Sequence, residues 1–186
     1  MKLVVGLGNP GAEYAGTRHN VGADALRQFA QAQQVALRPQ PKYKALIGEY
    51  AAGSEKIYLF IPTTYYNLSG EAVRAMCEYY HIAPSEVLVV HDELALPLGT
   101  VRTRVGGSDA GNNGVKSVTQ HIGQDTARIR IGIGNELREQ MDDADFVLSK
   151  FNAAERATLA DLQHVIEGCI EDFIYDSFAH TTHQAD

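Results

Sequence analysis

A histidine and an aspartate have the side chains needed to activate water as a nucleophile. His19 lies in Thr17-Arg-His-Asn20, after the first predicted strand, and Asp92 follows a strongly apolar strand. A carboxylate beside an imidazole holds one tautomer and leaves the other ring nitrogen free to accept a proton. Spacing alone favours an ordinary loop histidine and an ordinary strand-ending turn aspartate over a functional pair.

Three asparagines in turn-rich segments would suit a peptide-like substrate. Asn9 precedes a proline, Asn67 lies in Tyr65-Tyr-Asn-Leu-Ser-Gly70, and Asn113 precedes a glycine. A side-chain amide both donates and accepts hydrogen bonds, as a peptide backbone does. The alternative is that each is a turn or cap residue.

Arginines alternate in two predicted strands. Arg102 and Arg104 share one face of the first strand, and Arg128 and Arg130 share one face of the second. If these strands are neighbours, the arginines form a small clamp for phosphate groups. Otherwise they are solvated strand faces.

The elements that must position these residues alternate between strand and helix, which predicts one α/β domain with a twisted mixed β-sheet flanked by helices. The segment 38–44 contains two prolines and is predicted to be a loop. The glycine-rich segment 106–114 is predicted to be a second loop, with a helix from about Val115. Asn152 and Glu155 have the spacing of a capping box opening the last helix. The predicted strands are 2–7, 45–51, 56–61, 87–91, 101–105 and 128–133, and the other predicted helices are 21–33 and 70–80.

Composition predicts a soluble, cytoplasmic protein. The 186 residues suffice for one domain, and two cysteines are too few for a disulfide framework. The net charge is −7, but residues 1–135 carry 13 Lys and Arg against 11 Asp and Glu, whereas residues 136–186 carry 3 against 12. A phosphate backbone needs a local basic face, so nucleic acid stays open as a partner.

Two other motifs have weaker support. Gly6-Leu-Gly-Asn-Pro-Gly11 matches a dinucleotide-binding pattern. That pattern needs a helix beginning at its last glycine, but Pro10, Gly11 and Gly16 predict a loop there. His180 and His183 have metal-ligand spacing but lie in a polar segment without a cysteine or glutamate nearby. We therefore expect neither a cofactor nor a metal, with these histidines facing solvent.

Five segments resemble, in order, the sequence blocks of bacterial peptidyl-tRNA hydrolases. The resemblance runs from residue 2 to about residue 180. The blocks are Gly6-Leu-Gly-Asn-Pro-Gly-Ala-Glu-Tyr-Ala-Gly-Thr-Arg-His-Asn20, Pro62-Thr-Thr-Tyr-Tyr-Asn-Leu-Ser-Gly70, His91-Asp-Glu-Leu94, Gly111-Asn-Asn-Gly-Val-Lys116 and Arg128-Ile-Arg-Ile-Gly-Ile-Gly134.

The resemblance implies a monomer, with no obligate protein partner, that hydrolyses the ester between a peptide and the 3′ ribose of tRNA. By position, His19 would be the general base, Asp92 would hold it, and Asn9 would help distinguish N-blocked substrates from free aminoacyl-tRNA. Four further matches, Tyr14, Tyr65, Asn67 and Asn113, would line the site for the tRNA 3′ end and the peptide. Two more, Arg104 and Arg130, would contact tRNA phosphates.

The sequence departs from the family pattern near this site. Tyr66 stands where methionine is usual, Asn112 where histidine is common, and Ser108-Asp109-Ala110 replaces a stretch richer in glycine and histidine. Asn112 keeps hydrogen bonding but cannot titrate, and Asp109 adds repulsion near an anionic ligand. These changes keep a second hypothesis open, an RNA-binding module without catalysis.

Overall fold

One eight-stranded mixed sheet forms the centre of the computed structural model, which describes residues 1–185. The strands are β1 (Lys2–Gly6), β2 (Arg38–Gln40), β3 (Ala45–Ala52), β4 (Glu55–Pro62), β5 (Val87–Pro97), β6 (Thr100–Val105), β7 (Ala127–Gly134) and β8 (Thr182–Gln184). Their order in the sheet is β2-β3-β4-β1-β5-β7-β6-β8. The central four, β4, β1, β5 and β7, are parallel, and the strands at each end are antiparallel.

Helices cover both faces of the sheet and bury a separate apolar cluster on each. The helices are α1 (Val21–Ala32), α2 (Ser69–Tyr80), α3 (Asn113–Ile122), α4 (Asp143–Leu148) and α5 (Ala153–Ile174). Leu26 of α1 and Ile166 of α5 share a cluster with Leu88. Val73 of α2 and Val118 of α3 share the other with Val89. Within residues 1–185, no helix combines the length and apolarity needed to cross a membrane.

The two most apolar strands lie side by side in the middle of the sheet, as their sequences predict. Residues 3–5 and 87–90 are fully buried, because a central parallel strand is covered on both faces. Leu3 pairs with Val87 and Gly6 with Val90. Since β1 ends at Gly6 while β5 continues, the residues after Val90 lie beyond the end of their neighbour.

The predicted helices and most strand positions are confirmed, but several boundaries differ. The predicted loop 38–44 contains β2, an edge strand, where a proline is tolerated because one side needs no backbone donor. The strand predicted to end at His91 continues to Pro97, so Asp92 lies within β5 and not at its end. The helix predicted from about Val115 begins at Asn113, because the Asn112 side chain caps it.

Two elements were not predicted. Helix α4 is only six residues long and has one buried side chain, Phe146, so it has no readable periodicity. Strand β8 forms by pairing with β6. Of the two nearby histidines that were predicted to face solvent, His180 is exposed, and its Nε2 accepts from the Val105 amide over 3.2 Å. His183 lies in β8, is half-buried and contacts Thr181 Oγ1 at 2.9 Å.

A buried ion pair ties the segment before α1 to the start of α5. Arg18 is 1% exposed, and its guanidinium donates to both carboxylate oxygens of Glu155 at 3.0 Å and to Ser149 Oγ at 2.9 Å. Glu155 also completes the predicted capping box of α5 with Asn152. Burial opposes ionisation of Glu155, but hydrogen bonds from Arg18 and Asn152 outweigh it and lower its pKa. The pair therefore fixes the residue that directly precedes His19.

We predict that Glu155→Gln lowers the free energy of unfolding by about 3 kcal/mol, because it leaves the buried Arg18 charge without its counter-ion. Because the pKa of Glu155 is lower in the native state than in the unfolded state, ionised Glu155 stabilises the fold above roughly pH 4. This stabilisation is lost as the pH falls through the native pKa. Urea unfolding from pH 7 to pH 3 checks both points. Glu167→Gln on the same helix is the control, and an equal loss in the two variants would contradict the prediction.

Candidate active site

His19 and Asp92, 73 residues apart in the chain, form a hydrogen-bonded pair. His19 lies in a short 3-10 turn before α1, and its Nδ1 is 2.9 Å from Asp92 Oδ2. The Asp92 side chain is 2% exposed and the His19 side chain 15%. A carboxylate accepts, so Nδ1 carries the proton and Nε2 is the acceptor of the ring. This is the geometry of a general base.

The pair forms because the start of α1 lies directly against β5. A Cβ atom on Gly22 would lie 2.2 Å from the Val90 carbonyl oxygen, so only glycine permits this packing. Gly22 is three residues after His19, and Val90 is two residues before Asp92. The close backbone contact therefore sets the separation of the two functional side chains.

A second set of groups surrounds the buried Asp92 carboxylate. The Tyr66 hydroxyl donates to Oδ1, and Asn112 Nδ2 lies 3.3 Å from the same oxygen. The Tyr66 ring stacks on His19 with centroids 3.5 Å apart and planes 16° apart. Burial, and then the Asp92 charge, raise the pKa of Tyr66 well above 10, so its hydroxyl keeps its proton.

Asn9 is held next to this pair by reciprocal hydrogen bonds with Asn20. The Asn9 amide donates to Asn20 Oδ1 over 2.8 Å, and Asn20 Nδ2 donates to the Asn9 carbonyl over 2.9 Å. Asn9 Oδ1 accepts from the Tyr66 backbone amide over 2.7 Å. With its oxygen engaged, Asn9 offers its Nδ2 hydrogens to a ligand.

A cleft of about 270 Å³ opens over the pair. His19 and Asp92 line it, and Asn113 does so from the first residue of α3. The opposite wall comes from α4 and from Arg138, whose Nη1 donates to the Leu94 carbonyl over 3.0 Å. The cleft therefore brings the proton-accepting His19 ring together with the polar side chains of Asn113 and Arg138.

Four predicted substrate residues, Asn9, Tyr14, Tyr65 and Asn67, lie outside the lining of this cleft, and Asn9 is half-buried. Tyr14 is half-buried in the loop after β1, while Tyr65 and Asn67 are exposed on either side of Tyr66. Their predicted contacts with a substrate stay predictions.

The arginine strands are neighbours, as the phosphate clamp requires. Arg102 lies opposite Arg130 and Arg104 opposite Arg128, so all four side chains leave the same face of the sheet. Arg104 is half-buried and Arg102 exposed. Arg130 Nε donates to the buried Glu93 over 3.0 Å, so part of its charge is neutralised.

Arg128 has a structural role, and its side chain is buried. It is 2% exposed and donates to the carbonyls of Gly106 and Ser108 over 2.6 and 2.9 Å. Burial, followed by the nearby Arg104 and Arg130, lowers the pKa of Arg128 to about 10. These hydrogen bonds therefore anchor the loop between β6 and α3 to β7.

Sequence reasoning missed several contributors. Tyr66 and Asn112 stood out only as departures from a pattern, and Glu93 and Arg138 were not singled out. His91, grouped with Asp92 in the sequence, is fully buried, and burial lowers its pKa to about 4. Its Nδ1 contacts the Asp92 carbonyl at 2.6 Å, so it supports the backbone under Asp92. The signal that could have identified Tyr66 and Asn112 is that both lie within sequence blocks that match the family.

The described residues 1–185 contain no group of three His, Cys, Asp or Glu side chains arranged to hold a metal ion. The dinucleotide pattern at residues 6–11 is followed by loop and 3-10 turns, and a regular helix begins only at Val21. The predicted loop is thus confirmed.

Comparison with known proteins identifies relatives of this chain. A family model described as Peptidyl-tRNA hydrolase matches residues 3–186. A peptidyl-tRNA hydrolase of Shouchella clausii is 52% identical over 135 residues, 72% of each chain, and one of Bacillus cytotoxicus is 42% identical over 182 residues, 96% of this chain and 95% of its own. A solved structure of peptidyl-tRNA hydrolase from Acinetobacter baumannii has a TM-score of 0.87 at 34% identity, covering 95% of this chain and 89% of its own.

The match spans nearly the whole chain, and the solved relative has the same fold at an identity well above that of chance similarity. The histidine, aspartate and asparagines singled out above all lie within the matched residues. The chain belongs to the peptidyl-tRNA hydrolase family.

Proposed function

We propose that this chain hydrolyses the ester joining a peptide to the 3′ ribose of tRNA, with His19 as the general base. The observation that carries the mechanism is the bond between His19 Nδ1 and Asp92 at 2.9 Å, which leaves Nε2 free to accept a proton. Nε2 takes a proton from water as its oxygen attacks the ester carbonyl. The same proton then passes to the departing ribose oxygen, giving free tRNA and a peptide carboxylic acid, which releases its remaining proton to solvent.

The asparagines recognise the peptide in this proposal. An N-blocked substrate carries an extra carbonyl and lacks the positive α-amino group of free aminoacyl-tRNA. Asn9 Nδ2 donates to that carbonyl, and its position beside His19 and Tyr66 supports this role. Asn67 and Asn113, with Tyr14 and Tyr65, contact the peptide backbone and the tRNA 3′ end.

Arg104 and Arg130 bind tRNA phosphates. Their common face on β6 and β7 supports this role, although Arg130 shares its charge with Glu93. We further propose that the chain is one catalytic domain, acting in the cytoplasm as a monomer without an obligate protein partner.

The function is tested with an N-blocked aminoacyl-tRNA and its unblocked counterpart, each with and without EDTA. We expect cleavage of the blocked ester only, at the same rate in both conditions, because His19 and water suffice for the chemistry. RNA binding without ester cleavage by the folded protein would support the alternative of a non-catalytic RNA-binding module. Loss of cleavage with EDTA would contradict the metal-free mechanism.

We predict that His19→Ala lowers kcat on the blocked substrate by at least about 100-fold, the contribution of a positioned general base. Circular dichroism and urea unfolding show whether the fold is kept. His164→Ala, which removes an exposed histidine on α5, is the control and should leave kcat unchanged. Near-normal turnover by the His19 variant would exclude the proposed base.

We predict that Arg104→Ala raises KM about tenfold and leaves kcat within twofold, because a charge-assisted contact to phosphate is lost away from the reacting atoms. The salt dependence of kcat/KM should become shallower. Arg38→Ala on β2, at the opposite edge of the sheet, is the control. A lower kcat at saturating substrate with unchanged KM would contradict the clamp. Arg130 is less suitable because its removal leaves buried Glu93 unpaired.

A further inference from the structure

We propose that a one-way chain of hydrogen bonds, running from the N-terminus of α3 through Asn112 and Tyr66 to Asp92, sets the tautomer of His19. Tyr66 and Asn112 are then positioning residues for the base. The inference rests on the proposed role of His19, but it concerns two residues that the proposed function does not use.

The direction of the chain is set at the N-terminus of α3. The Val115 backbone amide can only donate, and it lies 3.0 Å from one side-chain atom of Asn112. That atom must therefore be the carbonyl oxygen Oδ1, and the other must be the donor Nδ2. Nδ2 lies 2.9 Å from the Tyr66 hydroxyl and 3.1 Å from the Asp92 carbonyl.

The Tyr66 hydroxyl has one proton to give, and its surroundings decide where that proton points. It accepts from Asn112, so its own proton is directed to its other neighbour, Asp92 Oδ1. The raised pKa of Tyr66 keeps that proton in place. The ring is enclosed as well, since a Cβ atom on Gly114 would lie 2.4 Å from Tyr66 Cε1.

The last link is the carboxylate. Its Oδ1 is occupied by Tyr66, and its Oδ2 accepts from His19 Nδ1. Donors on both oxygens hold this carboxylate, which is 2% exposed, in one orientation. Without the Tyr66 hydroxyl, Oδ1 would keep only the longer contact of 3.3 Å to Asn112 Nδ2, so the carboxylate would be held less firmly and its preference for the Nδ1-protonated ring would weaken. Tyr66 also limits the tilt of the imidazole by stacking on it.

Tyr66→Phe keeps the stacked ring and removes only the hydroxyl. We expect kcat on the blocked substrate to fall about tenfold with KM within twofold, because one buried acceptor loses its partner away from the substrate. Nitrogen-15 NMR of the free protein should show a smaller fraction of His19 protonated at Nδ1. Tyr58→Phe removes another buried tyrosine hydroxyl, on β4, and should change neither quantity.

Asn112→Ser provides the second arm, because serine can still cap α3 while the donor to Tyr66 is lost. If the two residues act in one chain, the double variant should lose no more kcat than the more impaired single variant. Additive losses would overturn the proposal. So would a Tyr66→Phe protein with the same tautomer fraction and kcat as the unmodified enzyme.

The NMR readout separates this proposal from the proposed function. If the unmodified protein cleaves no ester but Tyr66→Phe still shifts the tautomer of His19, the proposed function fails and the hydrogen-bond chain is supported. If the ester is cleaved and the tautomer does not change, the chain is wrong and the function is unaffected.

Discussion

The close contact between the first turn of α1 and strand β5 is the constraint on which the site depends. At Gly22 the helix backbone comes so near the Val90 carbonyl that no side chain fits between them. Two backbones in such contact cannot slide or tilt without a clash, so His19 and Asp92 are held at hydrogen-bonding distance. Catalytic geometry of this kind needs rigid supports, since an error of 1 Å in the position of a base is costly.

The segment that carries His19 is also held by a buried ion pair, whose arginine packs over the rings of Phe146 and Phe151. Arg18 and Glu155 are both buried, and together with Ser149 they connect the loop before α1 to the segment before α5. A buried ion pair adds little net stability, but it has one acceptable geometry, because each displaced partner would leave an unpaired charge. We infer that its main contribution is to place the turn that carries His19.

The acidic composition of the chain is compatible with an RNA substrate because several of the acidic residues lie on α5, on the face of the sheet away from the arginines of β6 and β7. Helix α5 packs on the face that buries Leu88, whereas Arg128 and Arg130 are in register with Val89 and His91 on the other face. The net charge of −7 thus averages over two different surfaces. Interactions with phosphates depend on the local arrangement of charges, such as the arginines of β6 and β7, and not on the net charge.

The sequence by itself determined the central strands, the main helices, the capping box at Asn152 and the family, since apolar periodicity and consecutive motif residues are local properties. It also pointed to His19, Asp92 and the arginine strands. Only the tertiary structure decided that β5 continues past Asp92, that β2 and β8 pair at the sheet edges, and that Tyr66 and Asn112 meet Asp92. These features depend on partners distant in sequence, and the direction of a hydrogen bond is defined only once both groups are in place.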